Sequence, residues 1–357
     1  MGSSNIFLEI KMGEKKMPFP YEFKELKPEE KMMLLKAYKA SELMPRFDLV
    51  SVGPKKFKLL RPFCEEAADI YNMALRSDDI FVVTYPRSGT TWTQELVWLV
   101  ANDFDYATAK SKVLMQRFPF VEFLKYAGSQ WQEELLQNAK DKEMTSEFLK
   151  NVNKPVKEKL SAIPSPRFLK THMPLSLLPP KLLDTAKVVY VARDPRDVSV
   201  SNFHLNRLIN IFDFPGTLKD YWSLFSQNLV KISPYFEHVK EAWNLRHHPN
   251  MLFLFYEDSI KDLPSSIRRV ADFLGKDVTE DQVTSLCDHL NFENFKKNDA
   301  VNFEYIKGLG VFTQEEDFIR RGKAGGWREY FDEEMTQQAD QWIANNLRDT
   351  DLRFPKL

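Results

Sequence analysis

One short stretch constrains this chain more than any other. Ile80–Tyr85 (IFVVTY) is apolar and β-branched almost throughout, as a strand buried on both faces must be. The turn PRSGT follows, and TWTQELVWLVAND then carries apolar residues at helical spacing. The turn and first helical turn of such a unit offer backbone N–H groups above the strand end, and those groups suit an anion. The pattern recurs. Arg167–Lys170 (RFLK) reads as a short strand before a Thr-His-Met-Pro turn. Lys187–Ala192 (KVVYVA) reads as a buried strand, followed by RDPRD and a helix from Val198. Met251–Tyr256 (MLFLFY) reads as another, followed by EDSIKDLP and an amphipathic helix near Ile267–Leu274. Apolar strands alternating with helices imply an α/β fold: a single domain over 1–357, with a central, mostly parallel sheet flanked by helices on both faces. Ligands of such folds bind at the carboxyl ends of the strands.

Charge excludes several classes. Lys and Arg total 50 against 51 Asp and Glu, so no global field selects nucleic acid or an anionic membrane, and any anion site must be local. Cys64 and Cys287 lie far apart and in no motif, which fits a reducing, cytoplasmic setting. The histidines at 172, 204, 238, 247, 248 and 289 show no metal-ligand spacing, so no metal is expected. No apolar run reaches membrane-spanning length, and Ile6 stands where a myristoylation signal needs Ser or Thr. Residues 1–16 do not read as a convincing signal peptide and are expected to be poorly ordered. Residues 17–35 mix proline with aromatics and read as an arm packed over a core. Residues 104–165 break the strand–helix rhythm and read as inserted helices and loops, either a lid or wall of a substrate site or surface decoration. The 28 phenylalanines either line an apolar pocket or simply fill the core.

YPRSGTTW (Tyr85–Trp92) has the layout of a phosphate-binding loop, with Ser88 and Gly89 for the tight turn and Arg87, Thr90 and Thr91 as side-chain donors. It departs from GxxxxGK[ST]. Thr84 takes the first glycine position and Thr90 the lysine position, so the residues that serve a triphosphate and its magnesium are missing.

Here the sequence resembles the cytosolic sulfotransferases. YPRSGTTW is similar to that family's 5'-phosphosulfate loop, with Arg87 in place of its usual lysine. Four more blocks follow in the family's order: KTHMP (Lys170–Pro174), YVARDPRDVSVSNFH (Tyr190–His204), FYEDSIKDLP (Phe255–Pro264) and IRRGKAGGWREYF (Ile319–Phe331). PFPYEF, YFEHVKEAW, MLFLFYED and the long insert resemble the insect branch that includes retinol dehydratase.

The resemblance implies a donor, 3'-phosphoadenosine 5'-phosphosulfate (PAPS), which leaves as 3'-phosphoadenosine 5'-phosphate (PAP). PAPS needs two anion sites. By motif position the first is Arg87, Ser88, Gly89, Thr90, Thr91 and Trp92, and the second is Arg193 and Ser201 with Arg320, Arg321 and Gly322. Arginine's planar fork suits phosphate oxygens. Read alone, RDPRD is better taken as a solvated turn of ion pairs. Trp92, Tyr256 and Phe292 are the positions assigned to adenine. His172 is the implied general base, Lys170 and Arg87 the cations at the transferring group, and Ser201 the link between the 3'-phosphate and the reaction centre. Gly326 stands where the family has Asp. The family's dimer motif is altered to Arg328, Asp332, Glu333 and Gln337. The expected partner is a small lipophilic alcohol or phenol in an apolar pocket, with aromatics around Phe118–Tyr126 as walls. For an allylic alcohol, loss of the new sulfate would make the net reaction a dehydration. Two other readings stay open at this stage: an ATP-using kinase, and a nucleotide-gated carrier without catalysis.

Overall fold

The computed structural model describes residues 17–39, 48–122, 129–139 and 141–356. The expectations for residues 1–16 and for the aromatics at 123–126 fall outside the described residues. Its centre is a parallel sheet of β4 (Ile80–Thr84), β5 (Phe168–Thr171), β6 (Lys187–Ala192) and β7 (Met251–Phe255), in the order β5-β4-β6-β7. These strands are apolar along their length because both faces are covered. Side chains alternate between faces. Val82, Val189 and Leu254 pack with the helices Thr90–Ala101, Leu263–Leu274 and Glu280–Leu290. Phe81, Val83, Tyr190 and Phe253 join the opposite core with Tyr221, Phe225 and Phe236. The Thr90–Ala101 helix is buried almost all round, which explains why its apolar stripe is so broad.

The helix after β6 starts at Pro195, three residues before the predicted Val198. Asp194 caps it by accepting from Arg196 N–H at 2.8 Å, and Pro195 suits the first helical position. The predicted arm at 17–35 contains two elements, β1 (Phe23–Glu25) and the helix Pro28–Ala37. β1 pairs antiparallel with β2 (Leu49–Val52), and β2 with β3 (Phe57–Leu60), making a second sheet that the sequence reading did not foresee.

Between β4 and β5 the described residues include the helices Tyr106–Ser111, Leu114–Arg117, Ser129–Asn138, Lys142–Asn153 and Val156–Ser161. The segment also touches the central sheet. Lys170 N–H donates to Pro119 O and Val121 N–H to Lys170 O, both at 2.8 Å. Phe120 and Glu122 are thereby laid beside the end of β5.

Candidate active site

β5 lies on one side of β4 and β6 on the other, so the sheet's winding reverses above Thr84. A crevice at the strand ends is the usual consequence. A cavity of about 540 Å³ opens there.

The loop after β4 forms one wall. Arg87 and Gly89 take φ of +70° and +96°. A Cβ on Gly89 would stand 2.5 Å from the Tyr256 ring, so this turn is closed to other residues. The first ladder bond of the following helix is Thr93 N–H to Gly89 O at 3.0 Å. The N–H groups of Thr90, Thr91 and Trp92 therefore have no acceptor in the helix. Thr90 Oγ1 pairs with Thr84 Oγ1 at 2.7 Å. Ser88 is the one predicted residue that does not line the cavity; it is fully buried and its hydroxyl has no partner.

Three arginines meet at this end. Arg87 donates to Ser201 Oγ and to Phe318 O, each at 2.9 Å, and lies over the Phe318 ring. Arg193 donates to Arg87 O at 3.1 Å and to Lys323 O at 2.9 Å. Arg320 donates to Tyr330 Oη at 2.6 Å. The Nε atoms of Arg193 and Arg320 are buried without acceptors. Burial, and then the neighbouring Arg193 and Arg320, push Arg87 down to about 9. Arg321 reaches the cavity rim, where it pairs with Glu329. The two arginines of RDPRD divide the roles. Arg196 is held by Asp194 at 2.6 Å and Asp340 at 2.8 Å, whereas Arg193 faces the cavity. Asp197 fixes the C-terminal block by accepting from Gly325 N–H at 2.6 Å and Trp327 N–H at 2.9 Å. A Cβ at Gly326 would meet only Asp197 Oδ1, at 3.9 Å.

Trp92, Tyr256 and Phe292 line the same end. Trp92 stands edge-on to Tyr256 and donates Nε1–H to Leu290 O at 3.1 Å. Tyr256 lies under the Arg193 guanidinium. Gly322, at φ +58°, is pressed against Phe292, where a Cβ would come within 2.3 Å.

His172 lies beyond β5. Its Nδ1 is 2.8 Å from Thr84 O, which can only accept, so Nδ1 carries the proton and Nε2 keeps its lone pair. Burial, then the Lys170 charge, hold His172 well below the usual histidine range. Burial also brings Lys170 down to about 8, against the pull of Glu122. Lys170 Nζ rests 4.3 Å from the centre of the Phe120 ring.

Sequence reasoning missed several supports. Buried Glu122 accepts His172 N–H at 2.5 Å and leaves Oε2 unpartnered; burial raises its carboxyl to about 7. The available signal was a lone acid inside the aromatic run FPFVEF. His238 Nε2 donates to His172 O at 2.9 Å, while its Nδ1 accepts from Tyr190 Oη at 2.7 Å. Thr84, singled out only as a departure from a P-loop, braces both Thr90 and His172. The rest of the cavity is mostly apolar, with Phe118, Phe212, Ile209, Ile306 and Phe312 among its walls, and Lys231 also lines it. Leu114, Met115, Phe118, Phe120 and Glu122 bring the inserted segment into that lining.

The Sulfotransferase domain model matches residues 77–351. The luciferin sulfotransferase of Photinus pyralis is 32% identical over 84% of this chain and 80% of its own. Rat (Rattus norvegicus) sulfotransferase 1A1 is 31% identical over 85% and 96%. A crystal structure of retinol dehydratase with androsterone and PAP superposes with a TM-score of 0.89 at 49% identity, covering 96% of this chain and all of the other. The same enzyme with retinol and PAP gives 0.88 at 49%, covering 95% of this chain and all of that one. The chain belongs to the sulfotransferase family.

Proposed function

We propose that the protein transfers the sulfuryl group of PAPS to the hydroxyl of a small lipophilic alcohol or phenol, with His172 as the base. The cavity carries this reading. One continuous space joins a phosphate-type loop, a cluster of arginines, a neutral histidine and apolar walls. The nucleotide end suits a donor with two anionic groups on three counts. The Nε atoms of Arg193 and Arg320 are buried and unpartnered. The first N–H groups of the Thr90–Ala101 helix lack acceptors. Two glycines hold the backbone against the flat rings of Tyr256 and Phe292.

PAPS, when bound, supplies an activated sulfuryl group. Arg87 to Trp92 would hold its 5' end, and Arg193, Ser201, Arg320, Arg321 and Gly322 its 3'-phosphate, with Trp92, Tyr256 and Phe292 about the base. His172 Nε2 takes the proton of the acceptor hydroxyl. Lys170 and Arg87 place positive charge beside it, where developing oxygen charge needs it. Ser201 Oγ, bonded to Arg87 Nε, ties the two anion sites together. The inserted segment serves as a wall of the acceptor site. Two free cysteines among the described residues, neither in a disulfide, support a cytoplasmic setting. The changes at 328, 332, 333 and 337 support the view that the chain does not self-associate through the family's usual motif.

The test is incubation with PAPS and a panel of lipophilic alcohols and phenols, reading PAP and product by mass spectrometry. PAP and sulfate ester should form one to one; no PAP release with any hydroxyl compound would contradict the proposal. A second reading, dehydration of an allylic alcohol, is favoured by the full-length likeness to retinol dehydratase. It predicts a product lighter by one water, together with free sulfate.

A further inference from the structure

Lys231 lines the cavity together with Leu60, Phe212 and Ile232, and with Leu60 and Phe212 it also borders a second, smaller cavity. Its Nζ stands 3.1 Å from the centre of the Phe212 ring. No carboxylate or hydrogen-bond acceptor among the described residues engages it. Burial holds it well below the usual lysine range.

The amine is presented by a rigid, strained loop. Ile232 has φ +70°, an outlying conformation for a β-branched residue, and Asn228 has φ +59°. β3 clamps the loop: Ile232 N–H donates to Lys58 O at 2.6 Å and Lys58 N–H to Ser233 O at 2.7 Å. Ser233 Oγ–H reaches back to Val230 O at 2.6 Å and Asn228 O at 2.8 Å. A donor held among apolar side chains without an acceptor is costly. Lys231 borders the cavity, so a ligand bound there can supply that acceptor.

We infer that Lys231 is a second anchor of the acceptor site, donating an N–H to a neutral oxygen at the far end of the acceptor from its reacting hydroxyl. The preferred substrates are then lipophilic hydroxy compounds with a distal ketone or hydroxyl. This rests on the proposal that the apolar limb of the cavity binds the acceptor. Both the amine and the ammonium form carry N–H donors, so the contact survives either protonation state. A site built to hydrogen-bond an oxygen discriminates against the analogue that lacks it more strongly than an apolar wall can.

The test uses the protein saturated with PAP and two steroids. Androsterone carries a ring hydroxyl and a distal ketone; 5α-androstan-3α-ol lacks only the ketone. Calorimetric titration should give androsterone an advantage of about 10-fold or more, the scale of a hydrogen bond to an otherwise unpaired buried donor. Lys231→Met keeps the length of the chain and removes the donor, and should cut that advantage to about twofold or less. Lys231→Gln keeps an N–H and should retain part of it. Equal affinities in the native protein, or an advantage that survives Lys231→Met, would overturn the inference. Equal affinities in the native protein overturn the inference even if the variants fail to fold. Failure of both steroids to bind the PAP-saturated protein would overturn the acceptor-site proposal and the anchor together, whereas equal binding overturns the anchor alone.

Discussion

At His172, one carbonyl decides which nitrogen can act. Thr84 O fixes the proton on Nδ1, and burial keeps the ring neutral well below pH 6.5. The histidine is thus ready as a base across neutral pH, and the acid side of the profile is not set by an ordinary imidazole. Lys170 sets the other side. It must be charged to act, and in the free protein it loses its proton near pH 8. The pH profile of kcat/KM, which reports the free enzyme, should therefore fall as pH rises through about 8. Lys170→Arg should move that fall upward toward the Arg87 value, about 9; a fall left unmoved would assign it to another group. His172→Ala should lower turnover by ~10²–10⁴-fold while PAP affinity, measured by calorimetry, stays near native. Arg193→Ala should weaken PAP by ~1.5–3 kcal/mol, the scale of a charged hydrogen bond. The loss should vanish for a nucleotide without the 3'-phosphate, and an equal loss for both would remove Arg193 from that site. These residues were legible because each sits in a short contiguous motif. Glu122, His238 and Lys231 were not, because their roles rest on contacts between segments distant in sequence.

Among the elements, β4, β6 and β7 were plain because a strand covered on both faces needs apolar residues along its whole length. β1 to β3 were not. β1 is three residues, FKE, all exposed, and hydrogen bonds to β2 hold it rather than any apolar pattern. The helix after β6 was placed late because the polar RDPRD hides a cap and a first-turn proline. The loops that shape the nucleotide end depend on two glycine–aromatic contacts. Gly322→Ala forces a Cβ to within 2.3 Å of Phe292 at a positive φ. It should destabilise the fold by ~1–3 kcal/mol and weaken PAP binding. Adding Phe292→Ala should relieve the clash and restore part of the stability in a chemical-denaturation series, without restoring binding. A double variant no more stable than Gly322→Ala would place the strain elsewhere.

At the scale of the whole molecule, a nearly neutral chain brings Arg87, Arg193 and Arg320 together at one end of the cavity. Arg193 and Arg320 lower the affinity of Arg87 for its proton, and a bound anion relieves that repulsion. Saturation with PAP at about 100 times its Kd should stabilise the fold by ~2.7 kcal/mol and raise Tm, and magnesium should add nothing. Sedimentation should be the same for the native protein and for Arg328→Ala with Gln337→Ala, since those positions no longer carry the family's dimer motif. A change in mass between the two would return that surface to use. The most direct measurement is a calorimetric titration with PAP and with ADP, both without magnesium. PAP should bind far more tightly, because its 3'-phosphate meets the Arg193 and Arg320 end of the cavity. Equal or tighter binding of ADP would contradict the assignment of that end to the 3'-phosphate and reopen the ATP-using and carrier readings.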